Sequence, residues 1–290
     1  MKGGRKGLFR SKYITFLSGI WFPVIILSLV LLASIFGDSI AQYSPTEGSL
    51  RTTLIPPAFA AGGSMEHVLG TDHLGRDVFS RLLAGTRTTV LVGVFVVLVA
   101  GTIGTVVGVL AGYFGRAVDT ALMRLTDAVL SIPYMLIALS LSVVLGPGAG
   151  TVVFVLGITS WANYAKVVRV ETMRLKNQEF VTLAKLSGAG TFRVLARHIL
   201  PNLVNTIIVM ATLQLGMAII LSASLSFLGL GAAPPSSEWG LMMSEGRDYI
   251  ATAWWLTTMP GVAIFMTVLS VNTLGNTLRI KMDPKRMVSR

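Results

Sequence analysis

Five long stretches of the sequence carry no Asp, Glu, Lys or Arg, and their lengths limit the folds open to the chain. These charge-free windows cover residues 13–37, 88–115, 128–165, 199–237 and 249–278. About 20 consecutive apolar residues suffice to cross the hydrocarbon core of a bilayer. Only 13% of the 290 residues are charged, whereas a soluble domain usually carries about a quarter. The pattern predicts an all-α polytopic membrane protein.

The third and fourth windows are longer than one crossing, and internal breaks decide how they divide. The third contains GPGAG at Gly146–Gly150, which indicates a tight turn between two helices, and the fourth ends in GLGAAPPSS, which does not continue a helix. Pro133 and Pro260 are expected to kink the third and the last span. Six transmembrane helices are predicted, at about 14–37, 88–113, 128–145, 150–170, 201–227 and 254–278.

The basic residues orient these helices. With the N-terminus in the cytoplasm, 19 Lys and Arg residues fall in cytoplasmic segments, and the outer segments hold only Arg51, Arg76, Arg81, Arg87 and Arg247. Cytoplasmic loops of membrane proteins carry such an excess. The sequence therefore predicts that both termini are cytoplasmic. Topology accounts for the net charge of +11, and nucleic-acid binding is not expected.

The six predicted spans lack the side chains on which two classes of membrane protein depend. They contain no Asp, Glu or His, since His67, His73 and His198 all fall in loops. Ion-coupled carriers usually keep an ionisable residue at the midplane, and intramembrane proteases need a catalytic pair or a metal site. The chain has no cysteine and no G-x-x-x-x-G-K-[ST] phosphate loop. We therefore predict no catalytic, cofactor-binding or metal-binding residues, and any ATP must bind to a partner.

Glycines follow a helical spacing through the second span. Gly101, Gly104, Gly108, Gly112 and Gly115 are separated by steps of three or four residues, which places them on one face. Small residues at this spacing let two membrane helices approach closely. We predict a helix-packing seam at Gly101, Gly104, Gly108 and Gly112, either within the chain or with a partner; the alternative is that lipid-exposed glycines are simply tolerated.

Three polar residues stand out in the later spans. Gln214, Asn272 and Asn276 are the side chains that we expect to point into the bundle or to line a water-filled translocation path. The alternative is an ordinary hydrogen bond between helices.

The first outer loop, about 38–87, contains the run HVLGTDHLGRDVFSRLLAG. Asp77 is suited to cap a short helix at the membrane surface. The apolar residues of that helix share a face; they are Val78, Phe79, Leu82 and Leu83. Metal-ligating residue types also occur in this loop, but their spacing matches no standard metal site; they are His67, Asp72, His73 and Asp77.

The last outer loop, 229–255, is rich in aromatic residues. Trp239, Tyr249, Trp254 and Trp255 suit the belt of Trp and Tyr found where membrane proteins meet the headgroups. The loop is mildly acidic, and we expect it to meet an extracytoplasmic partner; the alternative is a loop that is simply solvated.

A basic segment interrupts the apolar pattern between the fourth and fifth spans. Lys166–Arg197 holds seven Lys and Arg residues, and at about 3 kcal/mol per charge at the bilayer centre it stays out of the hydrocarbon. One helix is predicted over about 171–187, with Phe180, Leu183, Ala184 and Ser187 on one side.

A glycine turn and a second helix complete this segment. Gly188 and Gly190 suit a left-handed cap and a turn, and Thr191 is expected to cap a helix over 192–199. Pro201 then opens the fifth span. Two short helices joined by a glycine turn predict a plug that docks in a groove of another protein; the alternative is an amphipathic loop lying on anionic lipid.

The same segment resembles the pattern E-A-A-x3-G-x9-I-x-L-P of the permease subunits of bacterial ABC importers. The matching positions are Thr182, Leu183, Ala184, Gly188, His198, Leu200 and Pro201. Four further blocks are similar to the C-type subunit of the dipeptide, oligopeptide and nickel branch: HVLGTDHLGRDVFSRLLAGTR, DAVLSIPYMLIALSLSVVLGPG, LSFLGLGAAPPSSEWGLMMSEGRDY and PGVAIFMTVLSVNTLGNTLRIKMDPK. Thr182 stands where the family has Glu, and Glu179, one turn earlier, is the substitute that we expect.

The resemblance implies a type I ABC importer permease architecture in the bacterial inner membrane. It implies a heterodimer with a homologous B-type permease, two cytoplasmic ATPases that bind ATP and Mg²⁺, and an extracytoplasmic substrate-binding protein. The residues that it implies for ATPase coupling are Glu179, Thr182, Leu183, Ala184, Lys185, Gly188, Ala189 and Gly190.

The organisation that follows has three parts. Residues 1–87 form a cytoplasmic segment, the first span and an outer loop; residues 88–280 form the permease core with the coupling loop 171–200; residues 281–290 form a cytoplasmic tail. The family implies short peptides as cargo, with nickel or another small solute as the alternative. Outside the family, a stand-alone carrier or channel and a membrane scaffold remain as rival hypotheses.

Overall fold

The computed structural model describes the backbone of residues 4–282 and the side chains of residues 21–281. Within these residues the regular elements are helices, and the one β-type pairing is an isolated bridge between Thr71 and Asp77. The prediction of an all-α fold is confirmed. Most of the predicted cytoplasmic tail lies outside the described part of the chain. So do four of the basic residues that were assigned to the cytoplasm, namely Lys2, Lys285, Arg286 and Arg290.

Ten α-helices follow one another along residues 4–282. They are α1 (Gly4–Ile40), α2 (Val78–Phe114), α3 (Arg116–Ser131), α4 (Tyr134–Leu145), α5 (Ala149–Lys176), α6 (Glu179–Leu186), α7 (Thr191–Val194), α8 (Leu200–Phe227), α9 (Trp239–Gly246) and α10 (Trp255–Met282). Short 3₁₀ turns cover Leu50–Thr52 and Arg247–Tyr249, and a π-helical turn at Leu195–Ile199 joins α7 to α8.

Within the described residues, five helices are long and apolar enough to cross a membrane. They are Trp21–Ile40, α2, α5, the continuous run Thr191–Phe227 that includes α7 and α8, and α10. Helices α3 and α4 qualify as a sixth span only as a pair, and the angle between them is 81°. The chain is therefore a multi-pass membrane protein, as predicted.

The predicted third span, one kinked helix over 128–145, is wrong in its form. Helix α3 begins twelve residues earlier, at Arg116, and ends at Ser131, where Ile132 is extended with φ −98° and ψ 130°. Proline lacks an N–H and pushes the preceding residue out of the helical region. Pro133 thus breaks the span, whereas α10 continues through Pro260 to Met282.

The second span begins ten residues earlier than predicted. The carboxylate of Asp77 accepts the backbone N–H of Ser80 at 2.7 Å, so it caps a helix as expected. That helix is not a separate one at the membrane surface, because α2 runs unbroken from Val78 to Phe114. Gly85 does not interrupt it and lies against the backbone of the last outer loop: a Cβ there would lie 1.8 Å from the carbonyl oxygen of Ser237.

The fold divides into two units. The first comprises residues 1–90 with 234–290, and the second comprises residues 91–233. In the first unit, α1 and α9 both contact α10. Its core joins the start of α2 to the last outer loop and consists of Val78, Trp239, Met242, Ala253, Trp255 and Leu256.

In the second unit, α5 is the central helix. Helices α3, α4 and α8 all contact it. Its largest apolar cluster takes residues from α2, α4, α5 and α8, namely Val92, Val96, Ala138, Val152, Val155, Leu156, Ala218, Leu221 and Leu225.

The aromatic-belt prediction is wrong for two of its four residues. Trp239 and Trp255 are buried, and their indole N–H groups donate to the carbonyl oxygens of Leu82 and Thr71, each at 3.0 Å. A buried tryptophan needs such a partner for its N–H. These two residues therefore hold the outer loops together, while Trp254 is 40% exposed.

The glycines of α2 lie against α5 of the same chain. A Cβ on Gly104 would lie 2.3 Å from Cβ of Tyr164 and 2.4 Å from the carbonyl oxygen of Trp161. Gly108 and Gly112 approach carbonyl oxygens of α5 similarly, at 2.7 Å each. At Gly101 the same Cβ would meet only ordinary van der Waals contact, 3.5 Å from the ring of Tyr164. Because no side chain intervenes, the two helix backbones come close together.

We predict that Gly104→Ala destabilises the chain by about 1–3 kcal/mol, because the added methyl group forces the two helices apart. The measurement is the thermal unfolding midpoint of the detergent-solubilised protein. Gly150→Ala is the matched control, since nothing lies within 4 Å of a Cβ at that position. Equal midpoints for the two variants would contradict the close approach of α2 and α5.

Candidate functional site

The basic hairpin, defined here as residues 171–200, differs from its predicted form in the first helix. Helix α5 continues from the fourth span to Lys176, and Asn177 and Gln178 separate it from α6, Glu179–Leu186. The single helix predicted over 171–187 is therefore wrong. The side-chain amide of Asn177 donates to the carbonyl oxygen of Met173 at 3.1 Å, and Gln178 is extended, with ψ 149°. A local hydrogen bond from a side-chain amide to the backbone competes with continuation of the helix.

The second helix of the hairpin is also shorter than predicted. Gly190 occupies the cap position and Thr191 is the first residue of α7, so the expected Thr191 cap is wrong. Helix α7 ends at Val194, and the π turn carries the chain into α8. Pro201 lies in the first turn of α8, where its missing N–H costs little.

Gly188 closes the turn between α6 and α7. Its φ is +81°, a value that a residue with a side chain rarely adopts. The N–H of Gly188 donates to the carbonyl of Lys185, and the N–H of Ala189 donates to that of Ala184, each at 3.0 Å. This pair of bonds is the Schellman ending of a helix. A Cβ at Gly188 or at Gly190 would have nothing within 4 Å, so the turn projects into open space.

One face of the hairpin is buried in the second unit. Val181, Val194 and Ile199 have no exposed surface, and they belong to a cluster with residues of α2, α5 and α8, namely Val109, Tyr113, Val168, Leu175 and Leu203. The sequence had placed the apolar face of the first helix elsewhere, on Phe180, Leu183, Ala184 and Ser187. Only Ala184 of that set is half-buried, and the other three are exposed.

The opposite face of the hairpin exposes large apolar side chains. Leu183, Leu186 and Phe192 are 62%, 79% and 83% exposed. Scattered apolar residues are normal at protein surfaces, but these three lie among Lys and Arg residues. Leu183 and Leu186 lie outside the long spans, and Phe192 lies at the start of the run Thr191–Phe227, before its charge-free part begins. The predicted coupling residues share this exposure, except for Ala184 and Ala189, which are half-buried; the exposed ones are Glu179, Thr182, Leu183, Lys185, Gly188 and Gly190.

Ion pairs connect the inner part of α5 to α3. The guanidinium of Arg169 binds the carboxylate of Asp119 through two nitrogens, one of them, Nη2, at 2.6 Å from Oδ2. One turn away, Lys166 pairs with Asp127 at 2.9 Å, and both of these side chains are exposed. The bidentate pair is the stronger of the two because the guanidinium and carboxylate geometries match.

The three polar residues predicted for a translocation path occupy different environments. Gln214 is half-buried on α8 and borders a small cavity of about 10 Å³ together with Ser160, Tyr164 and Met217. A cavity of this volume holds about one water molecule. Asn272 and Asn276 are exposed on α10.

A buried ionic network in the first outer loop was not predicted from the sequence. Arg81 is 1% exposed, and its Nη1 lies 2.5 Å from a carboxylate oxygen of Asp72 and 2.8 Å from one of Glu245. Arg76 bridges the same two carboxylates, at 2.7 Å and 2.9 Å. Two cations and two carboxylates therefore neutralise one another at a largely buried position, where only the Glu245 side chain, 16% exposed, reaches the surface.

The sequence carries part of the signal for this network. Asp72 and Arg76 are four residues apart, as are Asp77 and Arg81, a spacing at which opposite charges meet. The first pair forms, but Arg81 turns to Asp72 and Glu245, and Asp77 instead lies 3.0 Å from Nδ1 of His67. Glu245 comes from α9, 169 residues away in the chain from Arg76, and no local pattern announces that contact.

The acidity of Asp72 follows from these contacts. Burial raises the pKa of its carboxyl, but the positive charge of Arg81, the N–H donors of Arg76 and Leu74 and the charge of Arg76 together outweigh burial. The pKa is consequently held below its usual value of 3.8.

Comparisons with known proteins find a matching family and similar transport proteins. Residues 104–287 match the family described as a binding-protein-dependent transport system inner membrane component. The chain is 39% identical over 257 residues to the di/tripeptide transport system permease protein DppC of Pseudomonas aeruginosa, over 89% of this chain and 85% of the relative. It is 44% identical over 224 residues to the glutathione transport system permease protein GsiD of Pectobacterium atrosepticum, over 77% and 74% of the two chains.

A solved structure has the same fold. The MetNI methionine ABC transporter, in an inward-facing conformation, superposes with a TM-score of 0.57 at 17% identity, over 69% of this chain and 95% of that chain. At this identity the likeness concerns the arrangement of helices alone.

Replacing Arg81 by methionine leaves the buried carboxylates with one cation fewer. We expect Arg81→Met to destabilise the chain by about 3–5 kcal/mol, the usual cost of breaking a buried ion pair. Thermal unfolding in detergent measures the effect, with Arg87→Met as control, since Arg87 and its partner Asp38 are both exposed and 4.0 Å apart. A loss no larger than that of the control would show that the network contributes nothing to stability.

The lowered pKa of Asp72 also predicts a pH dependence. A carboxyl whose pKa is lower when folded stabilises the fold above its unfolded pKa, and that contribution is lost as the pH falls through the folded value. The thermal unfolding midpoint of the wild type should therefore fall as the pH is lowered from about 5 to about 2. Asp72→Asn should be less stable than the wild type at neutral pH, but its midpoint should fall less over this range. Asp248→Asn is the control because Asp248 is exposed, and a slope in Asp72→Asn as steep as in the wild type would contradict the assignment.

Proposed function

The chain belongs to the family of binding-protein-dependent transport system inner membrane components, and we propose that it is the C-type permease subunit of an ATP-driven importer of short peptides. Membership of this family makes it a membrane permease of ABC importers, which work with ATPases and binding proteins. The finer proposal is carried by its similarity to the di/tripeptide permease along nearly nine-tenths of the chain. Nickel or another small solute is the alternative cargo.

The basic hairpin is proposed to be the contact with the ATPases. Its inner face is fixed in the apolar cluster of the second unit, while Leu183, Leu186 and Phe192 are exposed on the other side. Apolar residues presented on a rigid helical segment suit a groove in a partner protein. Gly188 lies at the exposed turn, with open space around it.

Glu179, Thr182 and Lys185 supply the polar part of this contact. All three are exposed on α6. Thr182 directs its hydroxyl to the carbonyl oxygen of Gln178 at 3.4 Å. We infer that Glu179, rather than Thr182, supplies the negative charge toward the ATPase.

The partners follow from what the sequence lacks and from the family. Without a phosphate loop the chain has no usual means of binding ATP, so the proposal assigns ATP, Mg²⁺ and hydrolysis to two partner ATPases and no enzymatic activity to this chain. A homologous B-type permease supplies the other half of the path, and an extracytoplasmic binding protein delivers the cargo. The excess of basic residues supports a cytoplasmic location for the hairpin and both termini.

The mechanism is alternating access in the bacterial inner membrane. Nucleotide closes the ATPase pair, the hairpins of the two permeases move with it, and the helices rock to open the path outward. Hydrolysis resets the path inward. Ligands shift such an equilibrium only through their different affinities for the two states, so the hairpin must contact both states of the ATPases differently. Gln214, Asn272 and Asn276 are the proposed polar groups along the path.

Reconstitution distinguishes this proposal from its rivals. A stand-alone carrier or channel transports cargo as the purified chain, and a scaffold assembles without moving cargo. We expect transport only when both permeases and the ATPases are present, with ATP hydrolysis stimulated by the loaded binding protein. Uptake by the purified chain alone would overturn the assignment.

Gly188 provides a sharper test of the hairpin. We expect Gly188→Trp to abolish binding-protein-stimulated uptake while the chain remains in the membrane, because a bulky side chain then occupies the docking turn. Gly229→Trp is the matched control, since Gly229 has a φ of +79° and equally open surroundings. Gly188→Asn distinguishes backbone strain from steric block. Asparagine tolerates positive φ, so this variant adds a small side chain without forcing the turn to change its backbone conformation. Normal uptake by Gly188→Trp would count against docking at this turn.

A further inference from the structure

Two lysines of the basic hairpin meet the end of α2 at one residue, Tyr113. Nζ of Lys176 donates to the carbonyl oxygen of Tyr113 at 2.6 Å and lies 5.6 Å from the centre of its ring. Nζ of Lys185 lies 5.2 Å from the same ring centre. Lys176 is the last residue of α5, and Lys185 belongs to the last turn of α6. Three helices therefore converge on one aromatic side chain.

Each of these contacts is favourable for a stated physical reason. The ring of an aromatic residue attracts a cation over its face within about 6 Å. The last carbonyls of a helix have no partner within the helix and carry partial negative charge, so a lysine ammonium there stabilises the end. Tyr113 is 9% exposed, and a buried ring strengthens the attraction because less water screens it.

The position of Tyr113 gives these contacts a mechanical role. The chain enters the hairpin from α5 and leaves it into α8, so those two spans are joined to it covalently. Among the described residues, α2 contacts the hairpin through the two lysines, one of which binds the backbone carbonyl of Tyr113, and through the apolar packing of Val109 and Tyr113. Close backbone contact along Gly104, Gly108 and Gly112 then couples α2 to α5.

We propose that Tyr113 is a positioning residue, clasped by Lys176 and Lys185, which makes α2 move as one body with the hairpin. This inference rests on the proposed function, in which the hairpin receives the movement of an ATPase. It gives Lys185 a contact within the chain, over the ring of Tyr113, in addition to its place at the proposed ATPase contact. Without the clasp α2 stays packed on α5 along its glycines, but its last turn is no longer fixed to the hairpin, so hydrolysis continues with less effect on the path.

The first measurement is the ratio of binding-protein-stimulated to basal ATP hydrolysis in the complete reconstituted complex. We expect Tyr113→Leu to lower this ratio about fivefold, the factor that the loss of two cation–π contacts supports. Tyr113→Phe keeps the ring and should restore the wild-type ratio. Lys176→Gln removes the cation that lies outside the proposed set of ATPase-contacting residues, so it should lower the ratio in the same direction as Tyr113→Leu, and Lys176→Arg should not.

Lys166→Gln is the matched control for loss of charge. Lys166 is on α5 as well, but its partner is Asp127 and it is exposed. Its variant should keep the wild-type ratio. An unchanged ratio in Tyr113→Leu, or an equal fall in Lys166→Gln, would overturn the clasp.

The second measurement reads the clasp without transport. The chain contains no cysteine, so the purified chain, spin-labelled at Val106→Cys on α2 and Thr191→Cys on α7 before assembly of the complex, reports a single distance. We expect a narrow distribution that Tyr113→Leu broadens and Tyr113→Phe preserves. A distribution equally narrow in Tyr113→Leu would overturn the proposal.

The two measurements separate failure of the clasp from failure of the proposed function. If the wild-type complex shows no stimulated hydrolysis, the importer assignment fails, yet the label distances still report whether Tyr113 holds α2 to the hairpin. If the loaded binding protein stimulates ATP hydrolysis normally and Tyr113→Leu changes neither the hydrolysis ratio nor the distance distribution, only the clasp proposal is wrong.

Discussion

The interior of a bilayer provides no water, so every backbone N–H and C=O within it must find a partner in the protein, and charges there are costly. This constraint shapes the chain more than any single contact. It confines the apolar windows to helices and sends Lys and Arg to the segments between them. It also explains why the charged stretch between the apolar windows of α5 and α8 forms short helices and turns rather than a further span. A surface that must stay out of lipid yet exposes Leu183, Leu186 and Phe192 is suited to a protein partner.

The number and order of the spans could be read from the sequence because lipid imposes a length on each of them. The residues at which the helices begin and end could not be predicted, because local sequence and packing determine them. Nothing between Val78 and Thr88 stops a helix, so α2 extends outward, and Gly85 is accommodated by the close approach of Ser237. The sequence predicts a kink at Pro133, but the structure shows a complete break there, which divides the third span into two helices at 81°. Propensity gives the position of such a break, whereas tertiary packing sets its angle.

The candidate site was predictable in location and not in orientation. The glycine turn at Gly188 follows from the left-handed conformation that glycine favours, and it lies where the sequence suggested. The buried face of α6 could not be deduced, because Phe180, Leu183 and Val181 are all apolar and the choice among them depends on α2 and α5. The same limit applies to Arg81, whose partner Glu245 is remote in the chain. Contacts of this kind arise from the fold and leave little trace in local spacing.

The run from Thr191 to Phe227 is one helical element of 37 residues that begins in the hairpin. At 1.5 Å per residue it is about 55 Å long, nearly twice the thickness of the hydrocarbon core, which is about 30 Å. A helical shaft of that length reaches from one surface of the membrane to the other through one continuous backbone, and the π turn and Pro201 are the places where it can bend. The π turn at Leu195–Ile199 lies near the N-terminal end of the shaft and offsets the register of the side chains beyond it. A one-residue deletion there would rotate the rest of the shaft by about 100° while leaving its composition untouched.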